Sequence, residues 1–159
     1  MANDVQLLSD VRIDRREATL RPVYGVAETR RPVTTRQGPR RVVDFATIAG
    51  RDNLGQAVAL RLLTPRGELG ALAHPDFGSR LHELIGRPNT ATTRDRVRLF
   101  VLESLQHESR IAQILELAVT SREPPATGPR NLVDVRLRVQ PAGVPAGGAL
   151  DLGPFTIAL

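Results

Sequence analysis

Neither cysteine nor lysine occurs in this chain of 159 residues, tryptophan is also missing, and aromatic residues make up only 3%. Without cysteine there is no disulfide, thiolate metal site or cysteine nucleophile, and the redox compartment is left open. With so few aromatics the core must be built from Leu, Val, Ile and Ala, with Phe45, Phe77, Phe100 and Phe155 as isolated large fillers. No apolar run approaches the roughly 20 residues that span a bilayer. The terminal Ala2-Asn3-Asp4 lacks the basic and apolar regions of a secretory signal. The expectation is a soluble protein made in the cytoplasm and free of membrane contact.

Every one of the 22 basic residues is therefore Arg, and the net charge is +5. Two readings fit an all-Arg set: GC-rich coding, or selection for bidentate pairing with carboxylate or phosphate. The length suits one domain with a real core, and 41% hydrophobic with 25% charged residues is ordinary for a globular chain.

Asp10 to Asp14 alternates in the period-2 manner of a half-buried strand. The stretch Arg21 to Arg41, with Arg30-Arg31-Pro32 and Gln37-Gly38-Pro39-Arg40-Arg41, has turn chemistry and little apolar periodicity, so it reads as a loop or extended arm. Val42 to Ile48 reads as another strand. A helical unit follows from Asn53 to Ile111. Asn53 and Gln56 have capping-box spacing, and Leu54, Ala57, Val58 and Leu62 share a face. Pro65 ends the helix at Thr64 and suits the second position of a tight turn closed by Gly67. Ser79 caps a short second helix stopped by Gly86. Thr92 and Asp95 open a third, running to about His107 with Val97, Phe100, Val101 and Leu105 as its core stripe.

Leu99 and Leu102 lie well outside that stripe. Either they pack under the C-terminal strands or they meet a partner. Beyond Arg110 the period changes to 2: Leu115, Leu117 and Val119 alternate with Glu116 and Ala118. After a reversing loop, Ser121 to Arg130, Val133, Val135, Leu137 and Val139 alternate with Asp134, Arg136 and Arg138. A loop from Pro141 to Gly148 leads to a last segment, Leu150 to Leu159, which closes the sheet or leaves it as a free edge.

The chemistry is sparse. His74, His82 and His107 lack metal-binding spacing, no Ser sits in a Gly-x-Ser-x-Gly elbow, and there is no phosphate-binding Gly loop. Glu68 and Asp76 supply the carboxylates that a glycosidase pair would need, without further marks of one. The Arg30 to Arg41 segment could neutralise phosphates. With only Tyr24 and Phe45 near enough to stack on bases, an arm for acidic protein surfaces is the stronger reading and nucleic acid the weaker. Glu108 and Arg110 form the most pointed charge pair, read either as a surface ion pair or as a pair offered to a partner.

Asn53-Leu54-Gly55-Gln56-Ala57, Arg61-Leu62-Leu63-Thr64-Pro65-Arg66-Gly67-Glu68-Leu69 and His74-Pro75-Asp76-Phe77-Gly78-Ser79-Arg80-Leu81 together resemble the baseplate-wedge, sheath-initiator family of contractile phage tails and phage-like injection systems. The family pattern is a helix ending in Leu-Thr-x-x-Gly-Glu, a Pro-x-Phe/Tyr-Gly-Ser segment, and a helix ending in Glu-Pro-Arg. Here that triplet is Glu108-Ser109-Arg110, so the kink that Pro imposes is lost. The resemblance covers Asn53 to Ile111 and leaves the basic N-terminal part outside it.

The resemblance implies a single small α+β domain with about three helices packed on a small mixed or antiparallel sheet, preceded by an extended N-terminal arm. The expected division is 1–51 for the N-terminal strands and arm and 52–159 for the wedge-like domain. It implies a structural, non-enzymatic component, present in several copies in a ring around the tube. Its partners would be the wedge core bundle and the sheath protein, with tube or hub proteins as further candidates, and it would initiate the sheath by accepting strands from it. The assembled location would be the baseplate of a phage tail or phage-like particle. Glu108 and Arg110, with Leu99 and Leu102, are the expected partner-binding residues; no catalytic, metal or cofactor-binding residue is expected. Some members carry a lysozyme-like label, so the alternative is a peptidoglycan-cleaving hydrolase.

Overall fold

The computed structural model describes residues 9–16, 23–123, 131–145 and 147–159. The N-terminal Ala2-Asn3-Asp4, the start of the basic stretch at Arg21, Pro124 to Arg130 of the reversing loop, and Ala146 lie outside the described residues.

Six short strands come first: β1 (Ser9–Val11), β2 (Ile13–Arg16), β3 (Val23–Val26), β4 (Glu28–Thr35), β5 (Gly38–Phe45) and β6 (Thr47–Ala49). They pair antiparallel as three separate ribbons, β1 with β6, β2 with β3, and β4 with β5. Single residues separate the strands at the three corners where the ribbons meet. Those corners are closed in a ring. The Arg12 N–H donates to the Ala46 carbonyl at 2.8 Å, the Ala46 N–H to Ala27 at 2.8 Å, and the Ala27 N–H to Arg12 at 2.9 Å. Each corner residue would otherwise leave backbone groups without a ladder partner; the ring satisfies one donor and one acceptor apiece. Ala27 is buried there.

The basic stretch is thus folded, not an open arm. From Glu28 to Phe45 it is a hairpin in which Thr35 opposes Gly38 across Arg36-Gln37, with Gly38 at φ +109° supplying backbone that other residues rarely adopt. Pro32 and Pro39 misled the sequence reading. Among the described residues both edges of this two-stranded ribbon are free, and an edge tolerates the absence of the N–H that proline lacks.

Helix α1 (Gly50–Leu63) buries Leu54, Val58 and Leu62. The Asn53–Gln56 capping box does not form: the N-cap is Ala49, without a side-chain cap. Gln56 instead ties the helix to the ribbon corner. Its Oε1 accepts the Ile13 N–H at 2.8 Å and its Nε2 donates to the Val11 carbonyl at 2.9 Å. Thr64 is extended (φ −80°, ψ 128°), as a residue before proline prefers. The turn lies one residue later than the sequence suggested: the Glu68 N–H bonds the Pro65 carbonyl, with Gly67 at φ +86°.

The expected second helix is only a 3-10 turn, Leu81–Leu84, because Gly86 ends it before an α-helical nucleus can propagate. Helix α2 (Ala91–Leu105) is capped by Thr90, not Thr92; the Thr90 hydroxyl accepts the Thr93 N–H at 3.2 Å. Three strands follow, β7 (Ile111–Arg122), β8 (Leu132–Pro141) and β9 (Leu150–Ala158), antiparallel in that order. In β8 Val133, Val135, Leu137 and Val139 point to the core, and Arg136 and Arg138 to solvent. Both helices cover this face, so Leu54, Val58, Leu62, Val97, Phe100, Val101 and Leu105 share one cluster with it. In β7 the expected alternation fails at Leu115, which is 47% exposed, because a register shift between Ile114 and Glu116 turns it outward.

The fold class therefore needs correction. Among the described residues there are two α-helices and nine strands in four small sheets, a mostly β arrangement, where about three helices on one small sheet were expected. Two physical facts account for the difference. The middle helix is too short to be α, and the proline-punctuated arm pairs with itself.

Candidate functional site

Glu108 lies in the turn between α2 and β7. The Glu108 N–H bonds the Leu105 carbonyl and the Ile111 N–H bonds the Glu108 carbonyl, both at 3.0 Å, so Glu108 and Arg110 are joined by a turn and not by extended chain. Arg110 closes on the carboxylate with Nε at 2.8 Å from Oε1 and Nη2 at 3.1 Å from Oε2; its own N–H also reaches Oε1 at 3.3 Å. Glu108 is 7% exposed and the Arg110 side chain 20%. A second guanidinium approaches from α1, with Arg61 Nε 3.9 Å from Oε2. Burial pushes the Glu108 carboxyl up. The hydrogen bonds and charge of Arg110, with the charge of Arg61, together outweigh it and hold the group below the ordinary carboxylate value.

Arg61 was not anticipated as a site residue. It sits seven residues after Leu54, on the buried face of α1, and a lone charge on an apolar stripe signals a paired buried ion. Its guanidinium carbon stacks 4.6 Å from the Phe77 ring centroid and its Nη2 donates to the His107 carbonyl at 3.4 Å. Its Nε makes no hydrogen bond.

Phe77 belongs to the Pro-Asp-Phe-Gly-Ser segment, which is clamped to the C-terminus of α1. The Ser79 N–H donates to the Thr64 carbonyl at 2.8 Å, the Arg66 N–H to Ser79 at 2.9 Å, and the Ser79 hydroxyl to Leu62 at 2.6 Å. From α2 the Ser104 hydroxyl reaches the Gly78 carbonyl at 3.0 Å. Gly78 has φ +106°, and a Cβ there would lie 2.6 Å from the Thr64 carbonyl oxygen. The residues of this motif thus lock two helices together.

Leu99 is 60% exposed and Leu102 37%, both on the side of α2 turned away from the sheet. Packing under the described C-terminal strands does not cover either of them. Glu108, with its carboxylate turned inward, is not brought into the same surface; Arg110 is the more accessible of the charged pair. β7 and β9 each pair on one side only among the described residues. Arg51 of α1 reaches the Asp151 carbonyl of β9 at 2.6 Å, and Arg98 of α2 the Val119 carbonyl of β7 at 3.4 Å.

The carboxylates weighed for catalysis lie elsewhere. Asp76 is exposed and held by Arg66 at 3.2 Å, while Arg66 also pairs with Glu103. Glu68 is exposed on the preceding turn. The crevice that Asp76 borders with Ser104 and His107 is too tight to admit water. A groove of about 580 Å³ between α1 and the β1–β6 ribbon is lined by Ile13, Ile48, Leu60 and Leu63 with Asp52 as its carboxylate. No three His, Asp or Glu side chains converge as a metal site among the described residues. No helix there is long and apolar enough to cross a membrane.

Comparison of the chain with protein-family models, with curated proteins and with solved structures returned no match.

Proposed function

We propose that this chain is a structural, non-enzymatic baseplate component of a contractile tail or injection particle. In this reading it joins the helical wedge core to the first sheath ring and initiates the sheath by accepting strands. Several copies would encircle the tube. The observation that carries the reading is the two-sidedness of α2. Its inner stripe is packed on the sheet, while Leu99 and Leu102 lie uncovered on its outer side. An apolar helix face of this kind suits a helical partner, and outer strands suit strand addition. The motifs that resemble the wedge family are spent on rigidity, which fits a load-transmitting part better than an active-site loop.

The test is co-assembly with wedge, tube and sheath proteins, scored by electron microscopy. Leu99→Ser with Leu102→Ser, and separately Arg110→Lys, which keeps a cation beside the buried Glu108 carboxylate, are expected to leave a folded monomer and few sheathed particles. Full-length sheathed particles from both variants would overturn the assignment of this surface. A reconstruction in which neither β7 nor β9 bonds a foreign strand would remove the strand-accepting role. The competing hydrolase reading is tested by turbidity loss of purified cell walls; activity abolished by Glu68→Gln or Asp76→Asn would replace the structural reading.

A further inference from the structure

The β4–β5 ribbon lies outside the segment on which the baseplate reading rests, and among the described residues nothing covers one of its faces. Its register sets Glu28 opposite Phe45, Arg30 opposite Val43, Pro32 opposite Arg41, and Thr34 opposite Pro39. Directly opposed residues share a face, and alternate residues along each strand return to it. All eight are exposed, Val43 at 56% and Phe45 at 59%. Arg30 and Arg41 form no ion pair among the described residues. This face is therefore a mosaic of four apolar side chains, Pro32, Pro39, Val43 and Phe45, around two unengaged guanidinium groups.

We infer that this face is a docking surface for an acidic protein partner. That partner would present two carboxylates beside apolar contact area. Charge sets the sign of the partner. The ribbon carries five arginines, Arg30, Arg31, Arg36, Arg40 and Arg41, against Glu28 and Asp44. Arg30 and Arg41 are diagonal neighbours across the ladder, roughly 7–8 Å apart at the backbone. A strand with carboxylates at alternate positions offers them roughly 6.8 Å apart. Each guanidinium can then take one carboxylate through two parallel hydrogen bonds.

The apolar residues decide between protein and nucleic acid. A phosphate backbone would pair with the arginines but would gain nothing from burying Val43, Phe45 and two prolines. A protein surface rewards both, because removing that apolar area from water is favourable and drying the arginine pairs strengthens them. The closed ring of hydrogen bonds at Arg12, Ala27 and Ala46 anchors the ribbon at its base.

The test uses the full chain and three fluorescent probes: a short synthetic peptide of alternating Glu and Val, its Gln counterpart, and a short DNA duplex. Binding is read by anisotropy at about 0.1 M salt. The Glu peptide is expected to bind, and the Gln peptide about tenfold or more weakly. Arg30→Gln with Arg41→Gln is expected to weaken the Glu peptide about tenfold or more, the paired Lys substitutions less, and Val43→Ser with Phe45→Ser comparably to Gln. Arg136→Gln, on the exposed face of β8, is expected to leave binding unchanged. All these positions are exposed, and far-UV circular dichroism confirms that each variant folds. Four results would overturn the inference: no binding of the Glu peptide, equal binding of the Gln peptide, equal loss from Arg136→Gln, or duplex binding that is indifferent to Phe45.

Discussion

Arg110 grips Glu108, two residues before it, through both Nε and Nη2, at 2.8 and 3.1 Å. The pair is internal to the turn that turns α2 into β7. Because the folded-state pKa of Glu108 is depressed, the ionised carboxylate stabilises the fold at all pH values above its unfolded value of about 4.3. That contribution is lost as the pH falls through the folded value. In urea titrations, Glu108→Gln is expected to remove part of the acid-side loss of stability. At neutral pH, Glu108→Ala is expected to cost about 2–4 kcal/mol, since it leaves Arg61 buried without its counter-charge. An unchanged urea midpoint for Glu108→Ala would show that the pair does not hold the turn.

Gly78→Ala is expected to be among the most damaging single-methyl additions in the chain. It places a Cβ 2.6 to 2.9 Å from the backbone of Thr64 and Pro65, at a φ of +106°. Backbone atoms in a clamp cannot swing aside as a side-chain tip would. The expected cost is about 3 kcal/mol or more, a drop of roughly 6–12 °C in Tm for a chain of this size. Gly67→Ala is the comparison, because its added Cβ meets nothing within 4 Å. It should lose only the cost of positive φ. Equal melting of the two variants would refute the steric account.

Gln56 reads like one rung of a ladder, accepting from Ile13 and donating to Val11. Gln56→Glu keeps the acceptor and destroys the donor, and turns a carboxylate oxygen toward the Val11 carbonyl. Faster amide exchange and protease cleavage are expected across β1 to β6, with little change in α2. The loss should be about 1–3 kcal/mol, localised to the ribbons. Uniform loosening of the whole chain would argue against a local tie.

Leu99→Ser and Leu102→Ser should each change stability by less than about 0.5 kcal/mol, as befits exposed positions away from the core. Their effect should appear only in assembly. A large fall in the monomer's melting temperature would mean that these leucines are covered by the chain itself.

The legible parts of this fold are those written in local periodicity. β8 announces itself because its valines and Leu137 alternate strictly with charged residues, and the core stripe of α2 is equally regular. The break at Thr64 follows from Pro65. What escaped depends on distant partners. Gln56 has the spacing of a cap, yet its amide is taken by residues more than forty positions away. Pro32 and Pro39 look like loop punctuation until Arg41 and Thr34 are known to lie opposite them. In the candidate site, the sequence set Leu99 and Leu102 off the stripe but did not choose between cover by the C-terminal strands and cover by a partner. The inward turn of Glu108 was not readable, because it depends on Arg61, which arrives from another helix.

The hydrogen-bonded ring at Arg12, Ala27 and Ala46 has a further consequence. Ser9 pairs with Ala49 and Val11 with Thr47, so the described backbone leaves for the ribbons and returns from them side by side. A short linker that replaces the ribbons beyond Ile13 and keeps the Gln56 bonds to Ile13 and Val11 is expected to leave the helical body folded, which makes the outer ribbons a detachable fitting that this scaffold could exchange for another.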